Sequence, residues 1–111
     1  MTSEIRPKIR VLVVDDHPLL RDGIAAVINA ETDMALVGEA TQGEEAVALF
    51  RRTHPDITLM DLQMPGMSGL DAIREIRSGT PSARIIVLTT YPGDAQASRA
   101  GRLESPNRPV R

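Results

Sequence analysis

Ile9-Arg10-Val11-Leu12-Val13-Val14-Asp15-Asp16-His17-Pro18 is the stretch on which the fold turns. Its first six residues are mostly β-branched and apolar without alternation, which reads as a strand buried on both faces. Asp15-Asp16 ends the run, and Pro18 is suited to the first turn of a helix. A strand covered on both sides and followed at once by a helix is the start of a parallel sheet with helices above and below it.

The same grammar repeats outward from this point. Leu20, Ile24, Val27 and Ile28 recur at helical spacing until the polar segment 29–33 interrupts them. Met34 to Glu39 is a second strand candidate, and Thr41 with Glu44 matches a capping box ahead of Ala46, Val47 and Phe50. Asp56 to Met60 makes a third strand, with Asp61 directly after its last apolar residue. The turn-rich Met64-Pro65-Gly66-Met67-Ser68-Gly69 leads into a third helix expected to point Leu70, Ile73 and Ile76 inward and to stop at Gly79 and Pro81. Arg84 to Thr89 is the fourth strand. Three βα units and a fourth strand predict a doubly wound α/β fold with right-handed crossovers.

Beyond Thr90 the pattern ends. Residues 91–111 hold Pro92, Pro106 and Pro109, four arginines, and only Leu103 and Val110 as large aliphatics. A short helix over 93–101 is the most structure this composition supports. The expected division is therefore a domain over 1–90 and a basic tail over 91–111.

Composition removes several function classes. The 111 residues carry a net charge of −2 and no cysteine, so thiolate metal sites, disulfides and cysteine nucleophiles are excluded. One Phe, one Tyr and no Trp leave no stacking platform for bases, and the acidic body offers no phosphate-tracking patch. Direct nucleic-acid binding is not expected. No apolar run approaches the roughly 18 residues of a membrane span, and no signal-like segment precedes Ile9, so a cytoplasmic, soluble chain is the expectation.

In an open parallel sheet, ligands bind at the carboxyl ends of the strands, where Asp15, Asp16 and Asp61 fall together. Three carboxylates in one crevice repel one another unless a proton or a hard cation compensates them. Mg²⁺ suits such a site because it prefers oxygen ligands and commonly couples carboxylates to a phosphate. The bland alternative is that these residues cap helices, as Asp16 would for the helix near Pro18.

The combination of Val13-Val14-Asp15-Asp16-His17-Pro18, Leu59-Met60-Asp61-Leu62-Gln63-Met64-Pro65-Gly66 and Leu88-Thr89-Thr90 resembles the receiver domains of two-component response regulators. Asp15-Asp16-His17-Pro18 and Leu88-Thr89-Thr90-Tyr91 look most like the NarL/FixJ-type (LuxR-class) transcriptional regulators. The resemblance implies a flavodoxin-like three-layer sandwich with sheet order 2-1-3-4. It implies phosphorylation of Asp61 by a sensor histidine kinase, Mg²⁺ held by Asp15, Asp16, Asp61 and the backbone carbonyl of Gln63, and Thr89 as the switch hydroxyl. Such a module is not an enzyme beyond accepting a phosphoryl group and losing it slowly.

The resemblance also has a gap. The family's fifth strand, its terminal lysine and the fifth helix find no counterpart, and Lys8 is the sole lysine. A C-terminally truncated receiver is the expectation. It would leave Ile85 to Thr89 as an exposed edge and one sheet face uncovered, which predicts a homodimer. A non-enzymatic dimerising module with a vestigial site is the competing reading, and an out-of-frame end to a longer DNA-binding regulator is a third. Among weaker candidates, His17 reads as a solvated loop residue, His54 as a helix-end residue facing the dipole, Met60, Met64 and Met67 as packing, and the tail arginines as solvated.

Overall fold

A computed structural model describes residues 7–88, so Thr89, the tail and the helix expected over 93–101 lie outside the described residues. The elements are β1 (Ile9–Val14), α1 (Pro18–Ala30), β2 (Met34–Ala40), α2 (Gly43–Thr53), β3 (Ile57–Asp61), α3 (Gly69–Gly79) and β4 (Ile85–Leu88). All three strand pairings are parallel, and the sheet runs β2-β1-β3-β4. This is the predicted flavodoxin-like, doubly wound order.

Alternation along β1 explains the layers. Leu12 and Val14 turn to one face, where they join Met60 from β3, Ala46, Val47 and Phe50 from α2, and Ala72 and Ile76 from α3. Val11 and Val13 turn to the other and meet Ile28 of α1. Fully burying side chains of this size contributes about 1.5–3 kcal/mol each, so the two-helix face carries most of the hydrophobic stabilisation. Met60 is fully buried and Met64 and Met67 pack against the same cluster, as the packing reading expects.

At the amino ends of the strands, the Arg10 guanidinium donates to the carbonyls of Thr53 and His54, and the Arg10 amide donates to Asp56 Oδ2 at 2.8 Å. His54 takes the left-handed conformation, φ 48°, and its N–H closes the end of α2 onto the Phe50 carbonyl. The far end of the sheet is thereby pinned by polar contacts, leaving the carboxyl end for chemistry.

Three local expectations are corrected. The Thr41–Glu44 capping box does not form: the helix starts after Gln42, which makes no side-chain cap, and Glu45 instead accepts the Thr41 amide at 2.9 Å. A start one residue later moves the reaching carboxylate one residue later. Leu70 is half-exposed rather than inward, because the buried stripe of α3 is Gly69, Ala72 and Ile76, and Leu70 lies about 100° around the helix from Gly69. In α1, Val27 is mostly exposed, and Ile28 is the buried member of the expected stripe.

Gly69 is required by a close approach. A Cβ there would lie 2.7 Å from Leu62 Cα and would collide with the Asp61 carbonyl oxygen. The bare backbone lets the first turn of α3, capped by Ser68 Oγ accepting the Asp71 amide, lie against the end of β3.

Candidate functional site

The central strands β1 and β3 bring the carboxylates together. Val14 is registered opposite Met60, so Asp15 and Asp61, the next residue along each strand, emerge side by side at the carboxyl edge. Both side chains are 0% exposed, while Asp16 on the outer side keeps 31% of its surface. Main-chain bonds fix the platform: the Asp15 amide donates to the Ala40 carbonyl at 3.0 Å, and the Gln63 amide donates to Asp61 Oδ1 at 3.0 Å.

His17 joins them. Its amide donates to Asp15 Oδ1 at 2.7 Å, and its ring Nδ1 lies 2.8 Å from that same oxygen. Nδ1 is also 3.2 Å from Asp16 Oδ1 and 3.5 Å from Asp61 Oδ2. Asp15, Asp16, His17 and Asp61 each offer a ligand atom, all within 4.8 Å of one another. Thus a residue that reads from sequence as part of a solvated loop is half-exposed yet directed over the acidic cluster. No pattern in the chain signals this, since ring orientation depends on where β3 ends.

Asp15 Oδ2, Asp16 Oδ1 and Asp61 Oδ2 are buried without hydrogen-bond partners. Orphaned buried acceptors are rare in folded proteins and call for an ion or water. Their convergence fits a hard divalent cation, because all three are anionic oxygens of the kind Mg²⁺ prefers. Helix capping by Asp16 is not observed: His17 occupies the N-cap position of α1, and the helix has no side-chain cap.

Electrostatics follow from this crowding. Burial raises the Asp61 pKa above its usual 3.8, the Asp15 and Asp16 charges push in the same direction, and the Gln63 amide and His17 oppose them. The His17 pKa is raised above 6.5, first by its hydrogen bond to Asp15 and then by the charges of the three carboxylates, against a desolvation cost.

Arg21 carries no signal in the sequence that marks it for the site. From one turn into α1, its Nη1 donates to the Asp15 carbonyl at 2.8 Å and its Nε to Glu39 Oε1 at 3.1 Å. It ties the helix to the ends of β1 and β2 beside the cluster.

Residues 11–104 match the family of response regulator receiver domains. This chain belongs to that family. Among curated relatives, the receiver is 49% identical over 86 residues to the Bacillus subtilis transcriptional regulatory protein YxjL, an alignment covering 78% of the chain and 39% of that protein. To the nitrate/nitrite response regulator NarL of Escherichia coli it is 42% identical over 79 residues, covering 71% of the chain and 37% of NarL. The chain thus spans well under half the length of the curated relatives it matches.

Solved receivers agree with the fold. The signal receiver domain of the NarL homologue from Mycobacterium tuberculosis superposes with a TM-score of 0.73 at 34% identity, covering 86% of this chain and 77% of that one. A LuxR-family response regulator from Aurantimonas sp. gives 0.72 at 42% identity, covering 84% and 66%. The receiver is of the NarL/LuxR type; receiver domains bind Mg²⁺ at an acidic pocket, and the carboxyl edge of this sheet carries an acidic cluster. No helix among the described residues is long and apolar enough to cross a membrane.

Proposed function

We propose that this receiver is a phosphoacceptor in a two-component relay, taking a phosphoryl group on Asp61 from a sensor histidine kinase with Mg²⁺ held by Asp15, Asp16, Asp61 and the Gln63 carbonyl. The observation that carries the reading is the set of three partnerless carboxylate oxygens at the ends of β1 and β3. Asp61 is suited to attack because Oδ1 is held by the Gln63 amide while Oδ2 is left without a partner. An Asp61 oxygen bonds to phosphorus, the bond from phosphorus to the donor's leaving group breaks, and an acyl phosphate results. A bound Mg²⁺ supplies charge compensation for the carboxylates and the phosphoryl oxygens. Thr89, outside the described residues, is proposed as the hydroxyl that binds the phosphoryl group.

Lys8 lies just before β1, at the opposite end of that strand from the cluster, so no lysine among the described residues supports the transferred phosphate. Acetyl phosphate with Mg²⁺ should add one phosphoryl mass to the wild type and none to Asp61→Asn. A wild type that stays unmodified, or an Asp61→Asn protein that gains the same mass, overturns the reading.

The relatives' names support a transcriptional regulator as the parent; the division into a receiver unit over 1–90 and a basic tail over 91–111 without nucleic-acid binding, in a cytoplasmic DNA-binding parent, is part of the proposal. One observation also favours the dimerising module. On the α1 face lies an apolar groove of about 470 Å³, lined by Leu19, Leu20, Val27, Met34, Ile57 and Ile86 among others. Leu19, Val27 and Ile86 are 88%, 61% and 52% exposed, and β4 is the outer strand of the described sheet. A second copy that covers the Ile85–Thr89 edge and this face would bury that surface.

A further inference from the structure

His17 is the member of the acidic pocket that an all-oxygen cation site leaves unused. It occupies the N-cap position of α1, yet its side chain makes no capping hydrogen bond. Its Nδ1 faces three carboxylates at 2.8, 3.2 and 3.5 Å. Two of them, Asp15 and Asp61, are fully buried, and each has one carboxylate oxygen, Oδ2, without a hydrogen-bond partner.

Those separations bear on whether the atoms can share one ion. Donor atoms bound to one ion at about 2.0–2.2 Å sit about 2.8–3.6 Å apart, whether the ion is four- or six-coordinate. Each of the three nitrogen–oxygen distances, 2.8 to 3.5 Å, falls in that interval. Mg²⁺ gains little from an imidazole, because it prefers oxygen, whereas Co²⁺, Ni²⁺ and Zn²⁺ gain substantially.

We infer that His17 is a nitrogen ligand of this pocket, giving the receiver an added affinity for borderline divalent metals that Asp15, Asp16 and Asp61 alone do not provide. The inference rests on reading the acidic cluster as a divalent-cation site. It differs from a role in which the ring merely takes the cation's place among the carboxylates. A ring of that kind must be displaced by every ion, so its removal strengthens all metals alike.

Calorimetric titration of the full chain with MgCl₂, CoCl₂ and NiCl₂ separates the cases, using wild type, His17→Ala and His17→Gln, each checked for a cooperative melt without metal. A nitrogen ligand predicts that both substitutions weaken Co²⁺ and Ni²⁺ by about tenfold or more while Mg²⁺ moves by less than about threefold. Pulsed electron paramagnetic resonance of the Cu²⁺-loaded protein supplies a second readout, since Cu²⁺ also gains from an imidazole. The wild type should show coupling to an imidazole nitrogen, and His17→Gln should lose it although His54 remains.

A uniform change across all metals, or a Cu²⁺ spectrum with oxygen ligands alone, overturns the inference. Mg²⁺ binding with Co²⁺ and Ni²⁺ affinities indifferent to His17→Gln removes the His17 assignment and leaves the acidic site standing. A wild type that binds none of these ions removes both.

Discussion

At the scale of single residues, the pocket couples metal, proton and stability. Asp61 and His17 both have folded-state pKa values raised above their ordinary 3.8 and 6.5. A raised value means that the protonated form favours folding, so each contribution is complete below the unfolded pKa and is lost as pH climbs through the folded one. For Asp61 the loss begins in the acid range. For His17 it begins as pH passes 6.5, so His17 contributes to the slope in the neutral range. The metal-free protein should therefore melt at progressively lower temperature from pH 6.5 into the mildly alkaline range. Saturating Mg²⁺ should flatten the trend and His17→Gln should make it shallower; a level or rising wild-type curve without metal would refute this assignment. The identity of Asp15, Asp16 and Asp61 is legible in the sequence because Asp15 and Asp61 each follow the last apolar residue of a strand and Asp16 comes next after Asp15. The ring of His17 and the guanidinium of Arg21 are not, since Asp61 and Glu39, the partners that complete their settings, belong to strands brought near only by the folded sheet.

Among the elements, the strands are the most legible and the helix faces the least. β1, β3 and β4 are short apolar runs bounded by charge or turn residues, and a buried parallel strand has little else to be. The inner stripe of α3 is hidden from the sequence because Leu70 is the larger residue, whereas contact with β3 requires the smallest. Two glycines make the distinction measurable. Gly69→Ala improves helix propensity by at most about 1 kcal/mol, but it forces a methyl into the Asp61–Leu62 backbone. Overpacking costs about 1–3 kcal/mol, so the clash wins and the variant should be less stable in urea. Gly23, inside α1, has open space where an added methyl would sit, with nothing within 4 Å, and Gly23→Ala should stabilise by about 0.5–1 kcal/mol. Equal effects of the two substitutions on the urea midpoint would contradict this account of α3 docking.

For the whole molecule, the two faces are unequal. Among the described residues, ten buried ones form the cluster under α2 and α3, against three under α1, where Leu19, Val27 and Ile86 remain largely open. Exposed apolar surface on this scale marks an interaction face. The protein should run as a dimer in light scattering, and Val27→Glu with Ile86→Lys should yield a folded monomer; a wild type that is monomeric at moderate concentration removes the dimer. The acidic site stands apart from this imbalance. Asp15 and Asp61 extend adjacent, hydrogen-bonded strands whose spacing, about 4.8 Å, is a property of peptide geometry and not of any side chain. The pocket thus inherits its dimensions from the backbone ladder. Mutational drift in the core changes how many molecules are folded at a given moment, while those that are folded keep the same backbone spacing beneath the two carboxylates.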